Sequence, residues 1–566
     1  MDNEKRNLLI LVVLSVAIFL GFHFLYEKPR LDKLQQAQTQ APAAEKPTTE
    51  SGILGALSSL VKSDQESVSL KTITIENEDV SGTLTNQGFE ISNLMLKKYK
   101  ETTDSESATV TLLNRQEGTS EFFAEFLWVP EDATLKVPDQ QTRWVVDGNT
   151  VSPQHPVVMT WDNGQGVTFK KVIEIDDHYM FTVRQTVENK TQKPVSFKTQ
   201  GRVVRSNPNP GNYVVLHEGA VGYLDNGLKE VKYEELKKTP QDSIHTRGGW
   251  LGMTDKYWLV ALVPDQNLSV QTHFKSQETR EGTSYASSFT EPKTTVDPGK
   301  SFTATTRLFA GAKSLDLLDH YEKVHHIPHF DLAIDFGWFY FITKPLFFAI
   351  KWLYNLIGNF GIAIIVLTLL VRLSFYPLAN HSFHAMAKMR ELQPQILKIK
   401  EMYEKTDKQR FQQEMMALYK KHGVNPVAGC VPILIQVPVF FALYKVLFVA
   451  IEMRHAPFFG WLRDLSAPDP TTIFNLFGLI PWTPPSFLMI GVLPIIMTLT
   501  MFVQQRLNPQ PTDQAQAILF KLMPWIFLFL LANFPAGLVI YWIISNLFSI
   551  TQQWIQIKYP MKTKKK

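Results

Sequence analysis

Arg372 closes a stretch, Trp352 to Val371, that carries no charge, and apolar residues resume beyond it at Leu373, Phe375, Tyr376, Pro377 and Leu378. A guanidinium inside or just under hydrocarbon costs at least about 2.5 kcal/mol, so such a residue usually faces water or a partner. Its chemistry there is electrostatic: it attracts an anion where the dielectric is low. The alternative is an arginine that snorkels to the headgroups of the inner surface. Other groups offer less. His155, His178, His217 and His245 form no ordered set, and His325, His326 and His329 flank a proline, so structural roles are expected for all of them. No G-x-x-x-x-G-K-[ST] loop and no H-E-x-x-H helix occurs, which leaves no sign of nucleotide or zinc chemistry.

The elements that position Arg372 follow from composition. The 566 residues average 45% hydrophobic with a net charge of +4, but residues 67–330 are polar and residues 335–557 are dominated by Phe, Leu, Ile, Trp and Pro. The single cysteine, Cys430, excludes an intramolecular disulfide. A short cytoplasmic N-terminus, 1–6, ends in Lys5-Arg6, and Asn7 to Tyr26 is then uncharged and ends in bulky residues. As a helix it covers about 30 Å, which predicts an uncleaved signal anchor over 7–26. A flexible linker is expected over 27–66, and an outward-facing domain over 67–330.

An interfacial amphipathic helix is expected over 331–351, and further spans over 352–378, 427–451, 486–503, 519–533 and 536–555. Between them lie a helical hairpin over 379–424, a loop over 452–485, a loop over 504–518 and a basic tail over 556–566. The segment 372–421 holds ten Lys/Arg against five acids, and 558–566 holds five lysines and no acid, whereas 452–469 holds two arginines against three acids. Positive segments stay in the cytoplasm, so both termini and the hairpin are placed inside, and the 452–485 loop outside.

Period-two patterning marks the outer domain. Ile73 and Ile75 alternate with threonines, and Val167, Phe169, Ile173 and Ile175 lead through Asp176-Asp177 to Tyr179, Phe181, Val183 and Val187. This is a hairpin with one buried face, and many like it predict an antiparallel sandwich with no helix before about residue 314. In the cytoplasmic hairpin, Thr406-x-x-Gln409 forms a capping-box pattern beside Asp407, and Gly423 is a natural stop. Met386, Met389, Met402, Met415 and Met416 either pack its two helices together or meet apolar partners from outside.

The segments Ala387-Lys388-Met389-Arg390-Glu391-Leu392-Gln393-Pro394, Asp407-Lys408-Gln409-Arg410, and Gln413 to Lys420 resemble the cytoplasmic hairpin of YidC-type membrane protein insertases. The similarity continues through Val424-Asn425-Pro426, Gly429-Cys430, Pro432, Leu434-Ile435-Gln436, Pro438 and Ala442-Leu443-Tyr444, and ends with Phe534 to Asn546. It implies a mixed fold. An N-terminal anchor and a five-helix membrane core carry a large extracytoplasmic, mutarotase-like antiparallel β-sandwich. The protein is then a multi-pass bacterial inner-membrane insertase and chaperone, acting with or without the Sec translocon. It performs no covalent chemistry and needs no catalytic residue, cofactor, metal or nucleotide. The family's groove arginine falls on Arg372 and its threonine on Thr368; Gln436, Tyr541, Ser545 and Asn546 extend the implied polar lining. A second tyrosine of some relatives is Trp542 here, and an apolar slide would include Val437, Pro438, Phe527 and Phe529. Met389, Arg390, Pro394, Met415 and Met416 are the implied site residues of the cytoplasmic hairpin. The implied partners are nascent membrane proteins, Sec components, membrane lipids and, through the hairpin and the basic tail, the ribosome. A transporter or channel, or a sugar-binding or sugar-modifying enzyme whose membrane part is only an anchor, is the alternative reading. The first would show internal repeats, and the second leaves the extra spans without a purpose.

Overall fold

The computed structural model describes residues 69–558, except 89, 116–119, 212–215, 239–242, 280–281, 404–406, 425–430, 479, 481, 483, 486–488 and 509–513. The expected anchor, linker and end of the basic tail lie outside the described residues, as do Thr406, Asn425, Pro426, Gly429 and Cys430.

Residues 72–312 form three sheets of five, nine and seven strands. The hairpin expected at 167–187 is present: Val167–Ile175 pairs antiparallel with Met180–Asn189, with Ile175 opposite Phe181. Alternation fixes its register, because Val167, Phe169, Ile173, Phe181, Val183 and Val187 are all buried. The two larger sheets meet face to face. Trp128 of Phe122–Pro130 packs edge-on against Phe169 at 5.3 Å, and Ser287 Oγ donates to Gly252 O at 2.8 Å between them. Two details differ from the sequence reading. Thr72–Glu76 pairs parallel with Thr150–Val151, while the other described strand pairs are antiparallel. A short helix, α1 (Tyr233–Lys238), precedes residue 314. Its acidic first turn and basic last turn complement the helix dipole, a signal too brief to stand out within a strand-rich segment.

Helix α2 (Leu315–His325) seals this domain by burying Leu318 and Tyr321, and the Tyr321 hydroxyl donates to Asp176 at 2.5 Å. The helical region comprises α3 (Tyr340–Ile357), α4 (Phe360–Ser374), α5 (Tyr376–Tyr403), α6 (Lys408–Lys421), α7 (Val431–Val449), α8 (Val492–Leu507), α9 (Gln514–Leu531) and α10 (Ala536–Lys558).

The segment 352–378 is not one helix, contrary to the expectation. Gly358, at φ 77°, ends α3, and the Asn359 side chain accepts from Ile362 N at 3.1 Å to start α4. A glycine in the left-handed region followed by an asparagine N-cap is a stop-and-start signal that outweighs the continuous apolarity around it. The helix expected to end at 351 thus runs to Ile357, and its predecessor 335–339 is not helical. Among the described residues no single helix is long and apolar enough to cross a membrane by itself. Helices α4 and α5 together are, with a 66° bend between them.

Helices α5 and α6 form the hairpin, joined by a small core of Leu392, Ile396, Tyr419 and Val424. The cap of α6 is Asp407, whose carboxylate accepts from Gln409 N at 3.1 Å and Arg410 N at 3.0 Å. It shifts the expected start by one residue, because aspartate at this position satisfies two otherwise orphaned amides.

Candidate functional site

Arg372 lies in the last turn of α4, and its Nη2 donates to Gln436 Oε1 on α7 at 2.7 Å. Tyr541 of α10, 2% exposed, completes the meeting of four helices, α4, α5, α7 and α10, around a cavity of about 40 Å³. That is room for about one water. Val371, Phe375, Leu378, Ala379 and Val439 supply the remaining walls. Among the described residues no carboxylate is paired with Arg372, and its one hydrogen-bond partner is a neutral amide. The resemblance implies a hydrophilic groove enclosed by the core helices; immediately around Arg372 the described residues enclose a small recess with mostly apolar walls. Phe375, Leu378 and Ala379, at the α4–α5 bend, wall it closely.

The remaining expected lining residues lie apart from the recess walls. Thr368 is 1% exposed, and its Oγ1 donates to Ile364 O at 2.6 Å within α4. Ser545 is fully buried one turn beyond Tyr541. Asn546 faces α8, where its Nδ2 donates to Thr500 Oγ1 at 3.0 Å. It clamps two helices, a role that spacing along α10 alone does not reveal.

The residues expected of an apolar slide divide into two sets. Val437 and Phe529 are exposed at 44% and 56%. Pro438 and Phe527 are half-buried, and Phe527 packs on Trp542 at 5.2 Å. Phe440 meets the same indole at 4.9 Å, so Trp542 bridges α7 and α9 through aromatic contacts. On the hairpin, Met389 and Met415 pack against its small core, while Arg390, Pro394 and Met416 are exposed. Met389 and Met415 thus pack the two helices together, and Met416 stays on the surface. The histidines of the outer domain are engaged separately. His155 Nδ1 lies 3.1 Å from Ser152 Oγ, His178 Nδ1 lies 2.8 Å from Asp79, and His217 Nε2 lies 2.9 Å from Ala220 O. His325 stacks on Tyr321, and His329 packs on Tyr223 at 4.8 Å.

Sequence reasoning missed a second charged centre. Lys445, inside the apolar run of α7, donates to Asp335 Oδ2 at 2.8 Å. Gly337, at φ 70°, lets the linker turn back close to the lysine stem. The charge itself was a visible signal, but its partner lies 110 residues away in the chain. Further contacts tie the β domain to the helices. Arg454 Nη2 donates to Lys100 O at 2.6 Å, Tyr257 Oη to Ser466 Oγ at 3.2 Å, and Ser314 Oγ to Glu452 at 3.1 Å.

Known proteins match along the whole chain. A family model described as the YidC periplasmic domain matches residues 72–349, and one described as 60Kd inner membrane protein matches 352–565. The membrane protein insertase YidC of Rickettsia canadensis is 44% identical over 563 residues, covering 99% of this chain and all of that protein. Those of Rickettsia rickettsii, at 44% over 99% of the chain, and Rickettsia bellii, at 44% over 98%, are similar. A crystal structure of an active YidC insertase with its first transmembrane domain resolved covers 87% of this chain and 94% of its own, at 20% identity and a TM-score of 0.34. The chain belongs to the YidC family of membrane protein insertases, inner-membrane proteins with a periplasmic domain, and these are insertases and not enzymes.

Proposed function

We propose that Arg372 is the receiver for acidic residues in the translocated tails of nascent membrane proteins. The observation that carries this reading is the buried guanidinium held by Gln436 with no paired carboxylate among the described residues. Two opposite charges 4 Å apart at an effective dielectric near 20 attract by about 4 kcal/mol. A carboxylate arriving in the recess therefore gains substantially, while the resting arginine loses no ion pair. The recess has room for about one water, so a polypeptide enters by parting α5 from α7 at the α4–α5 bend.

In this reading α4, α7, α8, α9 and α10 form the membrane core, with both termini and the α5–α6 hairpin in the cytoplasm. The apolar segment of the substrate passes Val437, Pro438, Phe527 and Phe529 into lipid. Burial at about 25 cal/mol per Å² drives that step without nucleotide hydrolysis. Thr368, Tyr541, Ser545 and Asn546 hold the helices around the arginine. The exposed Arg390, Pro394 and Met416 offer the hairpin to nascent chains or the ribosome. In the same reading the chain acts alone or beside Sec components.

The test is protease-protected insertion of a small single-span protein with an acidic tail into liposomes holding only the purified full chain. Insertion well above empty liposomes, without ATP or Sec components, is expected. Equal protection in the two, with the chain folded and oriented, overturns the reading.

A further inference from the structure

The largest cavity described, about 780 Å³, lies where the β domain meets the helices, away from Arg372. Its volume falls in the range of small-ligand sites, and domain junctions are where such sites concentrate. Strand Gly227–Lys232 and α1 contribute Glu230, Lys232 and Glu235, the linker before α3 contributes Asp335, and α7 contributes Lys445. The wall therefore presents three carboxylates and two ammoniums within one concavity. Glu230, Lys232 and Glu235 are exposed at this wall, and the Glu230 carboxyl lies in the field of Asp335 on one side and of Lys232 and Lys445 on the other. Burial holds His217, at the same wall, down to about 4, so it is neutral and adds no charge.

The rim is apolar and unusually open. Trp338, a lining residue, is 98% exposed, and Phe341 close by is 71% exposed. Phe441 of α7, also lining the cavity, is 44% exposed. Aromatic side chains beside charged groups at the end of an apolar helix are the composition of a membrane–water interface. Carboxylates and ammoniums together suit a ligand that itself carries both signs.

We infer that this junction binds the headgroup of a zwitterionic, amine-bearing phospholipid of the outer leaflet. Its ammonium faces Glu230 and Glu235, its phosphate faces Lys232, and its acyl chains leave past Trp338 and Phe441. The inference rests on the outward placement of the β domain, but not on the role of Arg372.

Native mass spectrometry of the full chain released from nanodiscs tests it, with phosphatidylethanolamine and phosphatidylglycerol offered in equal amounts. Wild type is expected to retain one phosphatidylethanolamine in preference. Glu230→Gln with Glu235→Gln is expected to lower that retention about tenfold, the equivalent of about 1.4 kcal/mol. Trp338→Ala, at a nearly fully exposed position, is expected to weaken retention of both lipids without unfolding the chain. Equal retention of the two lipids by wild type overturns the inference, as does unchanged preference in the double variant. Insertion by the same samples is measured in parallel. Normal insertion without lipid preference overturns only this site and leaves the insertase reading standing.

Discussion

Lys171 in the β domain and Arg372 in the helical region are both cations withdrawn from water, and their surroundings differ. Lys171 is 2% exposed, lies beside the rings of Trp128 and Trp144, and donates to Phe126 O at 3.3 Å. The buried Glu125 carboxylate acts on it and is itself held by Arg202 Nε at 2.7 Å. Lys313 repeats the pattern: it donates to Thr254 Oγ1 at 3.0 Å under the influence of Asp255, Asp335, Glu218 and Glu230. Each of these two buried lysines thus lies in the field of fixed acids, which offsets its burial in part, and serves the scaffold. Arg372 meets a neutral amide, and in the proposed reading the charge that balances it comes with the substrate. A buried cation already supplied with carboxylates belongs to the fold, whereas one lacking them has an interaction left to make.

Substitutions at the two sites separate these roles. The largest effect is expected from Arg372→Ala, which lowers insertion of an acidic-tailed substrate at least about tenfold, as losing one strong charge interaction requires. Its unfolding midpoint is expected to stay near that of wild type, measured on the same preparation. Lys171→Ala reverses the pattern. It leaves a cavity beside Trp128 and Trp144 while Glu125 keeps Arg202, costs about 3 kcal/mol by denaturant unfolding, and spares insertion in the fraction that folds. A loss of insertion by folded Lys171→Ala would erase the distinction between the two regions.

The pH response sharpens the contrast. Burial pushes the Lys171 ammonium from 10.5 down to about 7, and Lys313 down to about 8. Between those values and 10.5 the unfolded chain binds protons that the folded chain does not, so stability rises with pH across that window. His217, lowered from 6.5 to about 4, acts in the same direction lower down, and its contribution is lost as pH falls from 6.5 toward 4. The unfolding midpoint of the β domain is therefore expected to climb from pH 7 to pH 10, and Lys171→Met to flatten the climb. A midpoint that is level in wild type would contradict these burials. The smallest effect is expected from Asp407→Ala, which removes the α6 cap for about 1 kcal/mol. It appears as faster amide exchange at Gln409 and Arg410, with the recess unchanged.

Much of this was legible in the chain. The hairpin Val167–Ile175 with Met180–Asn189 follows from alternation, and Arg372 stands out because nothing charged precedes it for twenty residues. The same alternation held a signal that is easily passed over. Lys171 and Gln185 occupy inward positions between Phe169 and Ile173 and between Val183 and Val187, and both are buried. Polar residues on an inward face read as breaks in a pattern when they are in fact part of the core. The Gly358-Asn359 break was written in residue types but masked by apolarity on both sides. The Lys445–Asp335 and Arg372–Gln436 pairs join residues 110 and 64 positions apart, and periodicity along one element carries no record of its neighbours across space.

The most direct experiment compares insertion of one substrate bearing an aspartate tail with the same substrate bearing an asparagine tail, by wild type and by Arg372→Gln. If Arg372 receives the acidic tail, the substitution slows the aspartate substrate strongly and the asparagine substrate little, a coupling that a double-mutant cycle reads directly. Equal losses for both tails would show that Arg372 holds the helices together and does not attract the tail.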